Sequence, residues 1–360
     1  MTESSATARP GRVPATMPGA DRQRSDLVGR WSGSAFQREA AGWVDEVLAG
    51  RGLARSGPLQ PEKIRFWSAV FRVPIGSVRV ADRPAGTRSR DLAWLKVGNP
   101  GQAFEGRLLA ASGRIAPDRV VVPWAVDEEQ GRWLLPDGGP TLDGSRPRDW
   151  VGLLTDVADL QRMCAPHRAE LDMVPGLPAV EAPGWCDGTV HRLAALPPHD
   201  PQHLARERAE ELLGRLGRLA DRMALLARAG PPETLQPNDA HPRNAVGPLT
   251  PGGPARVFDL GDAVWSHPWA VLHTTVRLAA GVRLTEPWPD TPLTRRVLDA
   301  YADRWPEVDR ADRAEVAAAA DRLGALHRAA SWLRLLAPVD PDRLGVPTPS
   351  VADWLELALA

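Results

Sequence analysis

Lysine is almost absent from this chain. Only Lys63 and Lys96 stand among 44 basic residues, and the rest are arginines. With the abundance of Ala, Gly and Pro, this bias fits a high-GC bacterial coding sequence, and it makes each lysine position informative. A surplus of charge is missing as well, since 45 acidic residues oppose the basic ones for a formal net charge of -1. Polyanion-binding domains carry a basic excess or stripe, so the balance argues against nucleic acid as the main partner. Cys164 and Cys186 are the only cysteines. Two are too few for a disulfide scaffold or a Cys-rich zinc site, and both read as packed thiols. No run of about 18 apolar residues is available to span a bilayer. The first residues carry arginines without an apolar core, unlike a secretory signal. A cytoplasmic protein with no membrane partner is the expectation. The G-x-x-x-x-G-K-[ST] pattern does not occur either, which excludes a P-loop nucleotide site.

What is present is a chain of 360 residues, 43% hydrophobic, enough for one large domain or two lobes around a cleft. Residues 1–26, rich in Ser, Ala, Pro and Arg, read as a disordered tail. Over residues 34–50, Phe36, Ala40, Trp43, Val44 and Val47 share one helical stripe. Residues 64–80 are rich in Val, Ile, Phe and Trp, are broken by Pro74 and Gly76, and read as strands. A polar loop at 81–90 leads to a short strand ending near Lys96. Asn99-Pro100-Gly101 follows, then a helix with Phe104, Leu108 and Leu109 inward. Two strands within 119–126 and 131–135 lead to a turn at 136–139. Beyond Arg148 the pattern is helical: 149–164, a long amphipathic helix from 203 to 230, then 269–280, 293–305 and 313–337. Short strand-like pieces at 244–246 and 255–260 interrupt it, and no period of 20 to 50 residues repeats. The expected fold class is therefore α+β, with a small antiparallel-sheet lobe over 27–138 and a larger helical lobe over 139–360.

Chemistry concentrates in TLQPNDAHPRNAV and ARVFDLGDAV, which place Asp239, His241, Asn244, Asp259 and Asp262 within 24 residues. Pro and Asn give the first segment a tightly turned, exposed character. The second begins at Asp259, after a strand. Two loops at the ends of short strands can converge on one ion. Magnesium asks for hard oxygen ligands and accepts one or two from protein, with phosphate and water completing the shell. Asn244 and Asp259 fit that count, and Asp239 is left to face an attacking hydroxyl. Taken singly these residues are ordinary turn formers, and Lys96 and Glu105 alone would be a surface ion pair of little energetic weight. The spaced set is what points to a site.

These segments resemble the aminoglycoside phosphotransferase and choline kinase group of the protein-kinase-like fold. That group's catalytic loop reads H-G-D-x-H-x-x-N and its metal loop D-x-x-D, and the five residues above stand at matching spacings. The resemblance covers roughly residues 60 to 335, in order, and implies a two-lobed fold that uses Mg2+ and ATP. It implies Asp239 as the catalytic aspartate, Asn244 and Asp259 as magnesium ligands, and Asp262 as support for that loop or a ligand to a second ion. It also asks for a strand lysine on the nucleotide phosphates, held by a helix glutamate; Lys96 and Glu105 occupy those places. The nucleotide-covering turn falls at Trp67-Ser68-Ala69, where small Ser68 and Ala69 allow backbone N–H groups to approach phosphate. Pro237 and Asn238 stand where His and Gly are usual, a departure that bears on loop support rather than on chemistry.

The reaction this implies is transfer of the γ-phosphate of ATP to a hydroxyl of a small molecule such as an aminoglycoside, amino alcohol or sugar, since phosphoryl transfer needs mainly positioning and charge neutralisation. Residues 165–205 are the expected acceptor wall, with Asp172, Glu181 and Asp187 available to an amine. Two other readings compete. A metal-dependent hydrolase would use His241, Asp239, Asp259 and Asp262 as a dimetal cluster, but leaves Lys96 and Glu105 idle. A non-catalytic nucleotide-binding relative would account for Pro237 and the glycine-poor turn. A protein kinase fits less well, because the metal loop reads D-L-G-D and no A-P-E-like segment follows.

Overall fold

The computed structural model describes residues 24–77, 92–347 and 350–360. The loop expected at 81–90 and residues 1–23 of the expected tail lie outside the described residues. Residues 24–26 belong to the fold: Ser25 pairs with Val339, and the Asp26 carboxylate caps the first helix by accepting from the Gly29 N–H at 2.7 Å.

Two helices open the chain, α1 (Leu27–Ser32) and α2 (Ser34–Ala49). The stripe expected on α2 is the one that faces inward, with Ala40, Val44 and Leu48 buried. Six strands follow: β1 (Leu53–Arg55), β2 (Gln60–Arg65), β3 (Ser68–Ser77), β4 (Leu92–Gly98), β5 (Ala125–Asp127) and β6 (Arg132–Pro136). Helix α3 (Glu105–Ile115) lies between β4 and β5. The strands form one antiparallel sheet in the order β1-β3-β4-β6-β5, with β2 on the N-terminal half of β3. Pro74, read from sequence as a break, sits inside β3. On that side β2 pairs with residues 68–72 and β1 with 75–77, so the missing N–H of Pro74 falls in the gap between partners. The strand expected across 119–126 is reduced to β5, although Val120 and Val121 meet Val257 through its backbone.

The larger lobe holds α4 (Pro147–Cys164), α5 (Ala182–Ala194), α6 (Arg206–Leu213), α7 (Leu216–Arg228), α8 (Leu272–Ala280), α9 (Pro292–Ala302), α10 (Arg313–Leu336) and α11 (Val351–Leu359). The single helix expected from 203 to 230 is divided, because Gly214 ends α6 and a helical interior is costly for glycine. Three elements were not visible as helices in the sequence. One is α5, inside the stretch read as the acceptor wall. The others are α1 and α11, whose six and nine residues are too few to show a period clearly. Four short strands, β7 (Thr234–Gln236), β8 (Ala245–Val246), β9 (Arg256–Val257) and β10 (Val264–Ser266), form two antiparallel pairs.

Apolar burial gathers in two cores. The upper one joins α1 and α2 to the sheet through Val44, Leu48, Phe71, Val73, Leu95 and Leu134. The lower one joins the helices α4 to α11 and extends upward to Leu108 and Leu109 of α3 and to Trp133 of β6. Helix α10 spans both, since Leu335, at its end, and Val339 belong to the upper core. Cys164 and Cys186 are free and buried, and burial pushes both thiols up to about 12. They are packing residues, as the sequence suggested. Among the described residues no helix is long and apolar enough to cross a membrane.

Candidate active site

Strand pairing aligns the two polar loops. Strand β7 ends three residues before Asp239 and pairs with β10, which begins two residues after Asp262. Strand β8 begins directly after Asn244 and pairs with β9, which ends two residues before Asp259. Each loop is therefore bracketed by strands bound to those bracketing the other, and the Phe258 N–H donates to the Asn244 carbonyl at 3.0 Å. Among the described residues only Asn238 (φ 64°) and Asp259 (φ 60°) have positive φ without being glycine. Asn and Asp tolerate that region better than other L-residues, yet it still carries strain, and strain of this kind collects at working sites. Asn238 occupies the position where the resembled family has Gly, and its backbone does what Gly would do.

Pro237 removes the histidine that supports this loop in the resembled family. Here the support comes from α8. The Thr274 hydroxyl donates to the Asn238 carbonyl at 3.0 Å and the Thr275 hydroxyl to the Ala240 carbonyl at 2.7 Å. Asn244 turns its amide nitrogen back to Asp239, reaching the backbone carbonyl at 3.0 Å and the carboxylate at 3.3 Å. His241 Nε2 lies 3.6 Å from the same carboxylate. Burial works against ionisation of Asp239, but His241, Arg328 and Asn244 outweigh it and hold the carboxyl below its ordinary range. About 27% of the side chain remains open to solvent, so the site is a charged and reachable carboxylate.

Lys96 and Glu105 meet across the turn between β4 and α3. Lys96 Nζ donates to both Glu105 oxygens at 2.8 Å and to Asp259 Oδ1 at 2.7 Å. The first pair is buried and the Asp259 side chain is 48% exposed. The lysine thus joins the upper lobe to the loop that begins at Asp259, at that loop's more open acid. Burial alone would discharge Lys96, but Asp259 and Glu105 hold its pKa above the ordinary value. Burial pushes Glu105 up to about 7, with Lys96 opposing and Asp259 and Asp262 adding to the rise. Gly261 is needed for this proximity, because a Cβ there would come within 2.9 Å of both Gln102 Oε1 and Glu105 Oε2.

Asp262 faces protein on both carboxylate oxygens. Gln102 Nε2 donates to Oδ1 at 2.6 Å, the Ser331 hydroxyl donates to the same oxygen, and Arg328 Nη1 donates to Oδ2 at 3.0 Å. Gln102, Arg328 and Ser331 were not singled out by the sequence. The available signal was weak: His327, Arg328, Ser331 and Arg334 recur at helical spacing within the otherwise apolar α10.

The covering turn differs from expectation. Arg65 pairs with Ser68, so the turn is the two residues Phe66 and Trp67, while Ser68 and Ala69 already lie in β3, paired with Gly98 and Val97 of β4. Phe66 is fully buried, and the Trp332 ring of α10 lies 6.2 Å from its own. Asn99 fastens the turn, donating from Nδ2 to the Phe66 carbonyl at 2.9 Å and the Leu335 carbonyl at 3.0 Å, and from its backbone to the Trp67 carbonyl at 3.1 Å. Gly101 allows α10 this close, since a Cβ would fall 2.1 Å from the Arg334 carbonyl oxygen. Of the acids on the expected acceptor wall, Asp172 pairs with Arg107 at 2.9 Å and Asp187 lies 3.7 Å from His191. Among the described residues no three His, Cys, Asp or Glu side chains converge as a metal cluster, which the hydrolase reading requires.

No protein-family model and no curated protein sequence matches the chain. Solved structures do. A choline kinase from Cryptosporidium parvum Iowa II aligns with TM-score 0.55 at 9% identity, over 89% of this chain and 93% of that one. A macrolide 2'-phosphotransferase type I aligns with TM-score 0.54 at 13% identity, over 87% and 95%. A Plasmodium vivax ethanolamine kinase aligns with TM-score 0.53 at 10% identity, over 84% and 80%. The fold is that of the choline kinase and phosphotransferase group. At identities this low the alignments show the fold alone; within it Lys96, Glu105, Asp239, Asn244 and Asp259 come together at the junction of the two lobes.

Proposed function

We propose that this protein is a small-molecule kinase, moving the γ-phosphate of ATP to a hydroxyl group. The observation that carries the reading is the contact of Lys96 with Glu105 and Asp259 at once. A buried ion pair is expensive unless well partnered, and this one aims a lysine at the loop that carries the exposed acid. In this reading Lys96, held by Glu105, faces the nucleotide phosphates, and the Phe66–Trp67 turn, ahead of Ser68 and Ala69, roofs them. The donor set suits magnesium: Asn244 keeps its amide oxygen after donating its nitrogen to Asp239, and Asp259 keeps one carboxylate oxygen beside Lys96. Bound there, the ion would neutralise charge on the phosphates. Asp262, engaged by Gln102, Ser331 and Arg328, supports the loop. Asp239 orients the acceptor hydroxyl and takes its proton, which suits a carboxyl kept ionised by its neighbours. The neighbours' names, choline kinase, ethanolamine kinase and macrolide 2'-phosphotransferase, support an amino alcohol or a hydroxyl-bearing antibiotic as acceptor class.

The test is acceptor-dependent ADP release from Mg-ATP across a panel of amino alcohols, sugars and antibiotics. Asp239→Asn should lower turnover by about 10²- to 10⁴-fold while nucleotide binding persists. Phosphoester hydrolysis without ATP would sink the reading. The pinned Phe66–Trp67 turn favours one alternative, a non-catalytic nucleotide-binding protein. Calorimetric ATP binding with no turnover on any acceptor would establish that instead.

A further inference from the structure

Asp239 has two attachments inside its own loop, Asn244 and His241, and one outside it. The outside one is Arg328. This residue is 8% exposed and sits near the middle of α10, its guanidinium centre 5.8 Å from the Trp354 ring of α11. Nη1 lies 3.0 Å from Asp262 Oδ2 and 3.9 Å from Asp239 Oδ1. Nε–H has no hydrogen-bond partner among the described residues. One buried cation therefore stands between the acids of two different loops. Asp262 carries the connection onward, through Gln102, to the segment between Lys96 and Glu105.

We infer that Arg328 is a positioning residue for the transfer proposed above, fixing Asp239 against the metal loop so that the acceptor hydroxyl is held in line with the phosphate. The physical case rests on what else Arg328 could be doing. If Arg328 served only to neutralise Asp262, it would be one of three donors to that acid, beside Gln102 and Ser331. Asp239 has no other cation on a neighbouring helix within ion-pair range among the described residues. Its own loop carries backbone strain at Asn238, so an external tether has something to resist. Arginine rather than lysine suits a buried bridging position, since its planar group is less strongly hydrated and offers several donors at fixed angles.

The inference rests on the kinase reading, and the experiment separates the two. Wild-type protein is assayed first for acceptor-dependent ADP release; failure there sinks the kinase reading before any variant is made. With activity in hand, Arg328→Met should lower kcat by about 10- to 100-fold, the scale of a small misplacement at a reacting centre. KM for Mg-ATP should stay within about twofold, because among the described residues no hydrogen bond or ion pair joins Arg328 to Lys96, Glu105 or Asp259. Arg328→Lys should recover part of the loss, as should added guanidinium with Arg328→Ala. Unchanged kcat in Arg328→Met would overturn the assignment, as would a loss that follows the unfolded fraction in a thermal melt and is not recovered by lysine. Hydrogen exchange over residues 237–244 gives a readout independent of turnover. Faster exchange in Arg328→Met than in wild type supports the tether, and identical exchange refutes it.

Discussion

The two polar loops, the floor of the proposed site, and the Phe66–Trp67 turn, its roof, are built on opposite principles. The floor is irregular backbone under strain, with Asn238 and Asp259 at positive φ and polar side chains satisfying one another. The roof is a two-residue turn held by aromatic packing and by a single buried asparagine. The floor leaves its acids partly open, whereas the roof tucks Phe66 away completely. The difference places the reachable acids in the floor, with Asp259 beside Lys96. The roof is a fixed support, joined by Asn99 and Trp332 to the end of α10.

The sharpest way to break this comparison is to remove one group from each side. Asp259→Ala should weaken Mg-ATP binding by about 100-fold or more, in line with the loss of the proposed metal oxygen and of the acid beside Lys96. Trp67→Ala, on the roof, should change it by less than about tenfold, as expected of a half-buried ring whose contacts are Phe66 and Lys63. Calorimetry on both variants decides it, and equal losses would erase the distinction.

Next in size is the stability of the roof itself. Phe66→Ala empties a fully buried aromatic position and should cost about 3–5 kcal/mol in denaturant unfolding. Because Phe66 packs on Trp332, the loss should also release the end of α10, seen as faster hydrogen exchange over residues 330–339. A cost under 1 kcal/mol would mean that the turn is not pinned.

A smaller contrast concerns acid. All eight histidines lie beyond residue 166, in the larger lobe. Burial pushes His267 and His327 down to about 3. Below the ordinary value of 6.5 the unfolded chain gains a proton at each while the folded chain stays neutral. Their contribution is therefore complete above pH 6.5 and shrinks as the pH falls toward 3. Each should remove about 1.4 kcal/mol of stability per pH unit across that window. Urea unfolding at pH 7 and pH 5 measures the slope, and His327→Gln should flatten it. An unchanged slope in the variant would show that His327 is not buried as a neutral ring.

Much of the fold could be read without coordinates. The stripe on α2, the Lys96 strand and the helical run after 148 follow from periodicity, which acts over a few residues. Errors arose where a longer-range partner decides the outcome. Pro74 did not break β3, because its missing donor falls between two partner strands. The expected helix over 203–230 split at Gly214, and α5 was hidden in a stretch that reads as loop. For the site, spacing alone selected Asp239, Asn244, Asp259 and Asp262, and scarcity drew attention to Lys96. Gln102, Arg328 and Ser331 escaped, because a polar residue on a buried helix face looks the same in sequence whether it meets an acid or water.

What the sequence determined by itself is therefore local: element types, the two strained loops, and the residue kinds able to hold metal and phosphate. Asn238 is the clearest case, since its tolerance of positive φ is a property of the residue. What only the tertiary structure decided is which distant groups share a charge. Lys96 meets Asp259 across 163 positions and Arg328 meets Asp262 across 66. Those encounters depend on how sheet, loops and α10 pack. Burial then gives them their weight, because removing water strengthens a paired charge and penalises an unpaired one.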